Sequence, residues 1–209
     1  MFKIRASSLH KIMSARGLGD TGLSFIAEEF KRIHYDFDSF DGNKYTEKGN
    51  QLEDESIYQS MILDGYGYEK NGERKENEIV SGECDIYSKE RGMIIDIKNS
   101  WDIGTHPFFI YEAEKKTKKS GYDWQLWAYM WLWGVKKAEI HYWLHPTPEE
   151  LLKSWENPTK YITAVNNIPM SERRTVQEIT FDESLIPKVQ ERFKEAKEFY
   201  DNLMKERKR

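Results

Sequence analysis

A chain of 209 residues is long enough for one sizeable core, and 38% hydrophobic with 14% aromatic side chains excludes a disordered polymer in spite of 33% charge. A net charge of -4 gives no global cationic surface, although a local basic face or a cluster of metal-binding carboxylates is compatible with it. The single cysteine, Cys84, excludes a disulfide framework, a cysteine-rich zinc site and a four-cysteine iron–sulfur cluster. The opening MFKIRASSLH carries no apolar leader and no run reaches membrane length, so a soluble, cytoplasmic protein is the expectation.

Ser7 and Ser8 ahead of Leu9, Ile12 and Met13 predict a short capped helix. Residues 17–22 read as a loop, and Ile26, Phe30 and Ile33 as the apolar stripe of a second helix ending near 34. Residues 35–45 are turn-rich and acidic. A helix is predicted from near Thr46 to about Leu63, followed by a polar connection over 64–78. Two strands, about 79–87 and 92–98, are joined by residues 88–91 in a hairpin. Residues 101–119 read as irregular, then charged; 121–133 as an aromatic-rich helix; 138–144 as a strand; 148–155 as a short helix; 175–181 as a further strand. The last helix, 184–206, repeats Ile186, Val189, Phe193, Ala196, Tyr200 and Leu203 at three and four. No repeat or linker divides the chain. The expectation is one domain over 1–209, its core about 46–145, with the helices of 7–34 and 184–206 packed on it. Strand, strand, helix, strand predicts an α/β fold with a central mixed sheet, a hairpin plus a helical crossover, flanked by helices.

Within GMIIDIKNSW, strand alternation puts Ile95 and Ile97 on one face and Ile94, Asp96 and Lys98 on the other, the two charges roughly 7 Å apart. Other acid-x-lysine triplets in the chain sit in polar or helical settings; only this one lies in a β-branched apolar run, where charge is costly unless paired or holding a metal. The residues alone leave a structural ion pair and a site both open. Asp85, in the predicted partner strand, comes within about 5.5 Å of its cross-strand neighbours, and two carboxylates that close need a cation or a raised pKa. Glu83 shares its face as a lesser, rim candidate, and Cys84 points away as a core filler. Glu53 falls on a helical stripe with Ile57 and Met61, one turn after Gly49. Tyr122, Gln125 and Tyr129 form a thin polar stripe on an otherwise apolar helix, where the amide must bond something. A run of lysines, Lys115, Lys116, Lys118 and Lys119, could follow a phosphate backbone or be solvated charge. Trp101 is the candidate for base stacking. His141 and His145, on a strand and its exit, read as structural.

In order, Gly49-x-x-x-Glu53, Gly82-x-x-Asp85, Asp96-x-Lys98 and Tyr122-x-x-Gln125-x-x-x-Tyr129-Met130 resemble the PD-(D/E)XK nuclease superfamily. The resemblance is narrower to its branch of phage lambda-type exonucleases, YqaJ-like viral recombinases and RecB-type nuclease domains, and Arg5-Ala-Ser-Ser-Leu9 is similar to the first helix of phage members. Cys84 stands where the family usually has proline, Asp96 where this branch more often has glutamate, and Asn99-Ser100 where Thr-Ser is frequent. The resemblance implies a restriction-endonuclease-like core and Mg²⁺-dependent hydrolysis of DNA phosphodiesters, with Mn²⁺ able to substitute and no iron–sulfur cluster. It further implies an exonuclease of phage recombination or replication, acting in the bacterial host's cytoplasm. Glu53, Asp85, Asp96 and the Ile97 carbonyl would hold the metal. Lys98 and Gln125 would complete the catalytic set, and Tyr122 and Ser100 would touch substrate together with Trp101 and the four lysines. DNA is the implied partner; a single-strand annealing or single-strand binding protein and a homo-oligomer are allowed, a membrane is not. A structure-selective or restriction-type endonuclease, and an inactive nucleic-acid-binding module on the same fold, remain as alternatives.

Overall fold

The computed structural model describes residues 2–38 and 42–207, so part of the predicted acidic turn and the end of the basic tail lie outside the described residues. In chain order the elements are β1 (Ile4–Arg5), a 3₁₀ turn Ala6–Ile12, α1 (Gly19–Tyr35), α2 (Lys44–Asp64), β2 (Lys75–Glu76), β3 (Val80–Gly82), β4 (Ile86–Ser88) and β5 (Met93–Asn99). Then come α3 (Ile110–Ser120), α4 (Tyr122–Trp133), β6 (Lys137–Trp143), α5 (a single turn, Ala164–Asn166), β7 (Arg174–Thr180) and α6 (Ile186–Arg207). A four-stranded sheet runs β4-β5-β6-β7 and a smaller sheet β1-β3-β2. Antiparallel β4–β5 and β6–β7 flank the parallel pair β5–β6, whose connection runs through α3 and α4. That is the expected mixed sheet with a hairpin and a helical crossover between flanking helices.

β5 is packed on both faces, which is why its sequence is nearly all apolar. Ile94 joins the large core with Leu126 and Met130 of α4 and Ile140 of β6. Ile95 and Ile97 face the other way, onto Ile57 of α2 and Trp143. Each fully buried aliphatic side chain contributes about 1.5–3 kcal/mol, so a register slip of one residue, which would exchange the two faces, is strongly disfavoured. The terminal helices meet each other as well: Tyr200 of α6 stacks on Phe2 at 4.5 Å and contacts Phe30 of α1. The predicted stripe on α1 holds for Ile26 and Phe30, while Ile33 is exposed.

Several boundaries differ from expectation for physical reasons. The predicted strand 79–87 is two strands in different sheets, broken around Asp85. A Cβ on Gly82 would lie 2.6 Å from Tyr129 Cε1 and 2.9 Å from Ala6 Cβ, so only glycine lets the backbone pass that close to α4. Beyond it, Asn71 captures the bend, its side-chain amide donating to the Cys84 carbonyl at 3.0 Å and its backbone N–H to that of Asp85 at 2.7 Å. The irregular reading of 101–119 misses α3, whose buried side consists of Ala113 and Thr117 only. α1 begins inside the predicted loop, at Gly19. α2 begins at Lys44, where the Asn43 side chain accepts from the backbone N–H groups of Tyr45 and Thr46. Neither Ser7 nor Ser8 caps the first helix, which is 3₁₀ and preceded by Arg5, and the predicted helix at 148–155 is a 3₁₀ turn, Glu149–Leu151.

Buried histidines make the fold acid-sensitive. His106 and His145 are 4% and 3% exposed, and burial pushes each imidazole down to about 4 from near 6.5. The unfolded chain therefore takes up protons that the folded one refuses, and stability falls as pH drops from about 6.5 towards 4. At ~1.4 kcal/mol per pH unit each ring is worth about 3 kcal/mol over that window. Urea midpoints are expected to fall steeply between pH 7 and pH 4.5, and His145→Gln to flatten the slope. His141, the other member of the predicted structural pair, is also buried, bonded to Ser60 and Glu139.

Candidate active site

The α4 face of β5 brings the two charges of GMIIDIKNSW together. Asp96 is fully buried, and Lys98 Nζ lies 2.6 Å from its Oδ2. The polar stripe of α4 sits directly over them. Gln125 spends both amide hydrogens there: Nε2 donates to Asp96 Oδ1 at 3.3 Å and to the Tyr129 hydroxyl at 3.0 Å. The Lys98 ammonium lies 4.9 Å from the centre of the Tyr122 ring, a cation–π contact at a partly desolvated position. Burial and the nearby Asp96 charge raise the Tyr129 phenol well above its ordinary range, so it remains a neutral hydroxyl.

Asp85 reaches the same place from the bend. Its Oδ2 accepts from the Ile97 backbone N–H at 2.6 Å. The N–H and C=O of one strand residue leave the same strand edge, so the Ile97 carbonyl also faces the Asp85 side. Burial and then repulsion from Asp96 raise the Asp85 carboxyl above the carboxylate range; Lys98 opposes the rise and Glu53 adds to it. Glu53 is delivered by α2, where Ile57 anchors the helix on Ile95 and Ile97. It is engaged by Lys70 at 2.9 Å. Glu53, Asp85, Ile97, Lys98 and Tyr122 line one cleft of about 360 Å³. Gly49 lines it too, and a Cβ there would meet nothing within 4 Å.

Sequence reasoning missed Asn99. Its Oδ1 accepts from Ser56 Oγ at 2.8 Å and its Nδ2 donates to the Gly49 carbonyl at 3.4 Å, which ties α2 to the end of β5. The signal was available: an amide next to Lys98, and a serine one turn after Glu53 on the same helix.

Other candidates lie elsewhere. Ser100 turns inward, its N–H on the Trp143 carbonyl and its hydroxyl 3.2 Å from His106 Nδ1. Trp101 is 7% exposed, with Lys44 Nζ 4.4 Å above the ring and Tyr45 against its edge. Both are buried, and neither lines the cleft. Lys116 donates to the Thr105 carbonyl at 2.7 Å, holding the preceding loop to α3, whereas Lys115, Lys118 and Lys119 are exposed on α3 and Glu83 is exposed outside the cluster.

The donor set suits a hard divalent cation, which prefers oxygen ligands. Two like charges share a buried corner, and the buried Asp96 Oδ2 has no hydrogen-bond donor of its own apart from the Lys98 charge. Among the described residues no three histidine, cysteine, aspartate or glutamate side chains stand together as a ready-made metal cluster. In this arrangement Lys98 pairs with Asp96, Lys70 is shared between Glu53 and Asp54, and Asp85 rests on the Ile97 N–H.

No protein-family model matches the chain, and no curated protein matches it. Among solved structures, a phage-related exonuclease from Haemophilus somnus 129PT is similar with a TM-score of 0.94 and 44% identity, over 98% of this chain and 96% of that one. An alkaline exonuclease, LHK-Exo, from Laribacter hongkongensis is similar with a TM-score of 0.68 and 14% identity, over 99% of this chain and 91% of that one. Its complex with dAMP gives 0.64 and 14%, over 98% and 92%. At that identity the likeness to LHK-Exo is one of fold.

Proposed function

The chain belongs to the PD-(D/E)XK nuclease superfamily, in the branch of phage-related exonucleases, and from that premise we propose that it hydrolyses DNA phosphodiesters from a duplex end, using a divalent cation such as Mg²⁺. The observation that carries the proposal is that Glu53, Asp85 and Lys98 line one cleft, with Asp96 buried directly behind it, paired to Lys98 and bonded to Gln125.

Glu53, Asp85, Asp96 and the Ile97 carbonyl are the groups proposed to hold the cation. When bound, the cation polarises a phosphoryl oxygen and acidifies attacking water. The chain's own residues do the rest. Gln125 fixes Oδ1 of the Asp96 carboxylate, which leaves Oδ2 to the Lys98 ammonium. Tyr129 holds that amide in its orientation. Lys98, pre-positioned over Tyr122, is placed to stabilise charge on phosphate oxygens or to position water once its hold on Asp96 is relaxed. An ammonium suits this place better than a guanidinium, because it is a compact charge on a flexible stem.

The test is degradation of end-labelled linear duplex in Mg²⁺, with a covalently closed circle and a chelator control beside it. Linear duplex is expected to be consumed, the circle to survive, and chelator to stop the reaction. Cleavage of the circle would replace the exonuclease reading with an endonuclease one. DNA binding without cleavage in any divalent cation would remove the hydrolytic reading altogether.

A further inference from the structure

Resting on that reading, we propose that a second surface, the groove between residues 104–107 and α3, receives a single DNA strand leading to or from the cleft, with Phe109 and Tyr111 as its base-stacking platform. Phe109, Ile110 and Tyr111 are 60%, 53% and 66% exposed, three large apolar side chains in succession. A lone exposed ring is ordinary on a protein surface, but here two are ordered against each other, Phe109 and Tyr111 with centroids 5.9 Å apart and planes inclined by 11°. Parallel exposed rings offer a π-face on which any base can stack.

Beside them lies a groove of about 450 Å³, lined by residues 104–107 and, from α3, by Tyr111, one carboxylate, Glu112, and three lysines, Lys115, Lys116 and Lys119. Aromatic faces next to lysines on the same helix are the composition of a strand track: rings for bases, ammonium groups for phosphates. His106 of this lining also carries a buried Nε2 without a hydrogen-bond partner.

The groove is tied to the cleft through the protein in two ways. His106 is bonded through Nδ1 to Ser100, two residues beyond Lys98. α3 then runs from the platform to Gly121, next to Tyr122, whose ring lies under the Lys98 ammonium. Ten residues of helix span about 15 Å, or four to five stacked nucleotides at ~3.4 Å each. About five nucleotides are therefore long enough to span from the Tyr122 end of α3 to the platform. The charge and the shared helix favour nucleic acid over a protein partner as the occupant.

The experiment is fluorescence anisotropy with a labelled oligothymidylate in Ca²⁺, comparing wild type, Phe109→Ala/Tyr111→Ala and Lys115→Ala/Lys119→Ala, together with hydrolysis of thymidine 5′-p-nitrophenyl phosphate in Mg²⁺. All four side chains are exposed or at the surface, so the variants are expected to fold. Loss of the rings should weaken single-strand binding by roughly 5- to 150-fold per stacked base. Loss of the lysines should weaken it less and lower its salt dependence. Hydrolysis of the small diester by the ring variant should stay at wild-type level, since it is too short to reach the platform. Single-strand affinity unchanged in the ring variant, or absent in wild type, overturns the proposal; in the first case the patch is left to a protein partner. A wild type that binds strand through the rings but leaves both the small diester and DNA intact removes the nuclease reading while the groove stands.

Discussion

Asp96→Asn is expected to lower DNA hydrolysis by at least about 10³-fold, about 4 kcal/mol in the barrier, with the fold preserved. The substitution is nearly isosteric, and the retained Oδ1 can still accept from Gln125 Nε2, so the contact with α4 survives. What disappears is a full negative charge at the most buried point of the cluster. A hard cation loses one of the carboxylates proposed to hold it, and the phosphate loses the polarisation that cation supplies. The folded state loses little, because the neutral amide no longer repels Asp85, and Lys98, whose side chain is 23% exposed, can turn towards solvent. Melting temperature and far-UV circular dichroism should stay close to wild type. Activity within tenfold of wild type would remove Asp96 from the chemistry.

Lys98→Ala is expected to cost a comparable factor, about 10²–10⁴-fold, by the opposite route. The variant loses the ammonium but keeps every proposed ligand, so Mn²⁺ or Ca²⁺ should bind at least as tightly as to wild type: the group that competes for Asp96 Oδ2 is gone. Without metal the protein should melt lower, because removing one partner of a buried pair leaves an uncompensated charge worth about 3–5 kcal/mol. Added divalent cation should restore the melting temperature without restoring activity. If Lys98 were only the partner in a structural ion pair, restored stability would bring activity back with it. Calorimetric titration and melting with and without Mn²⁺ separate the two outcomes.

The parts of this site that were legible in the sequence are those set by a local period. Alternation in 93–99 places Asp96 and Lys98 on one face, and three- and four-residue spacing places Gln125 with Tyr122 and Tyr129, and Glu53 with Ile57. Each of those faces follows from backbone geometry alone. The contribution of Asp85 was legible as chemistry but not as structure. The residue sits in a break between two sheets rather than in a ladder, and the break is made by Asn71 and by the close passage of Gly82 under Tyr129, both distant in sequence. α3 was hidden because a helix burying only Ala113 and Thr117 presents almost no apolar stripe. The burial of Ser100 and Trp101 was not legible because it is decided by the Trp143–Thr147 segment. There Lys48 clips the Trp101 and His145 carbonyls and the Thr147 hydroxyl together.

Anomalous diffraction from crystals grown in Mn²⁺ tests most directly whether these acids form a cation site. One strong peak is expected, within coordination distance of oxygens from Glu53, Asp85 and Asp96 and of the Ile97 carbonyl, with Glu53 released from Lys70. A cleft that stays empty at millimolar Mn²⁺, or a peak held by other residues, would contradict it.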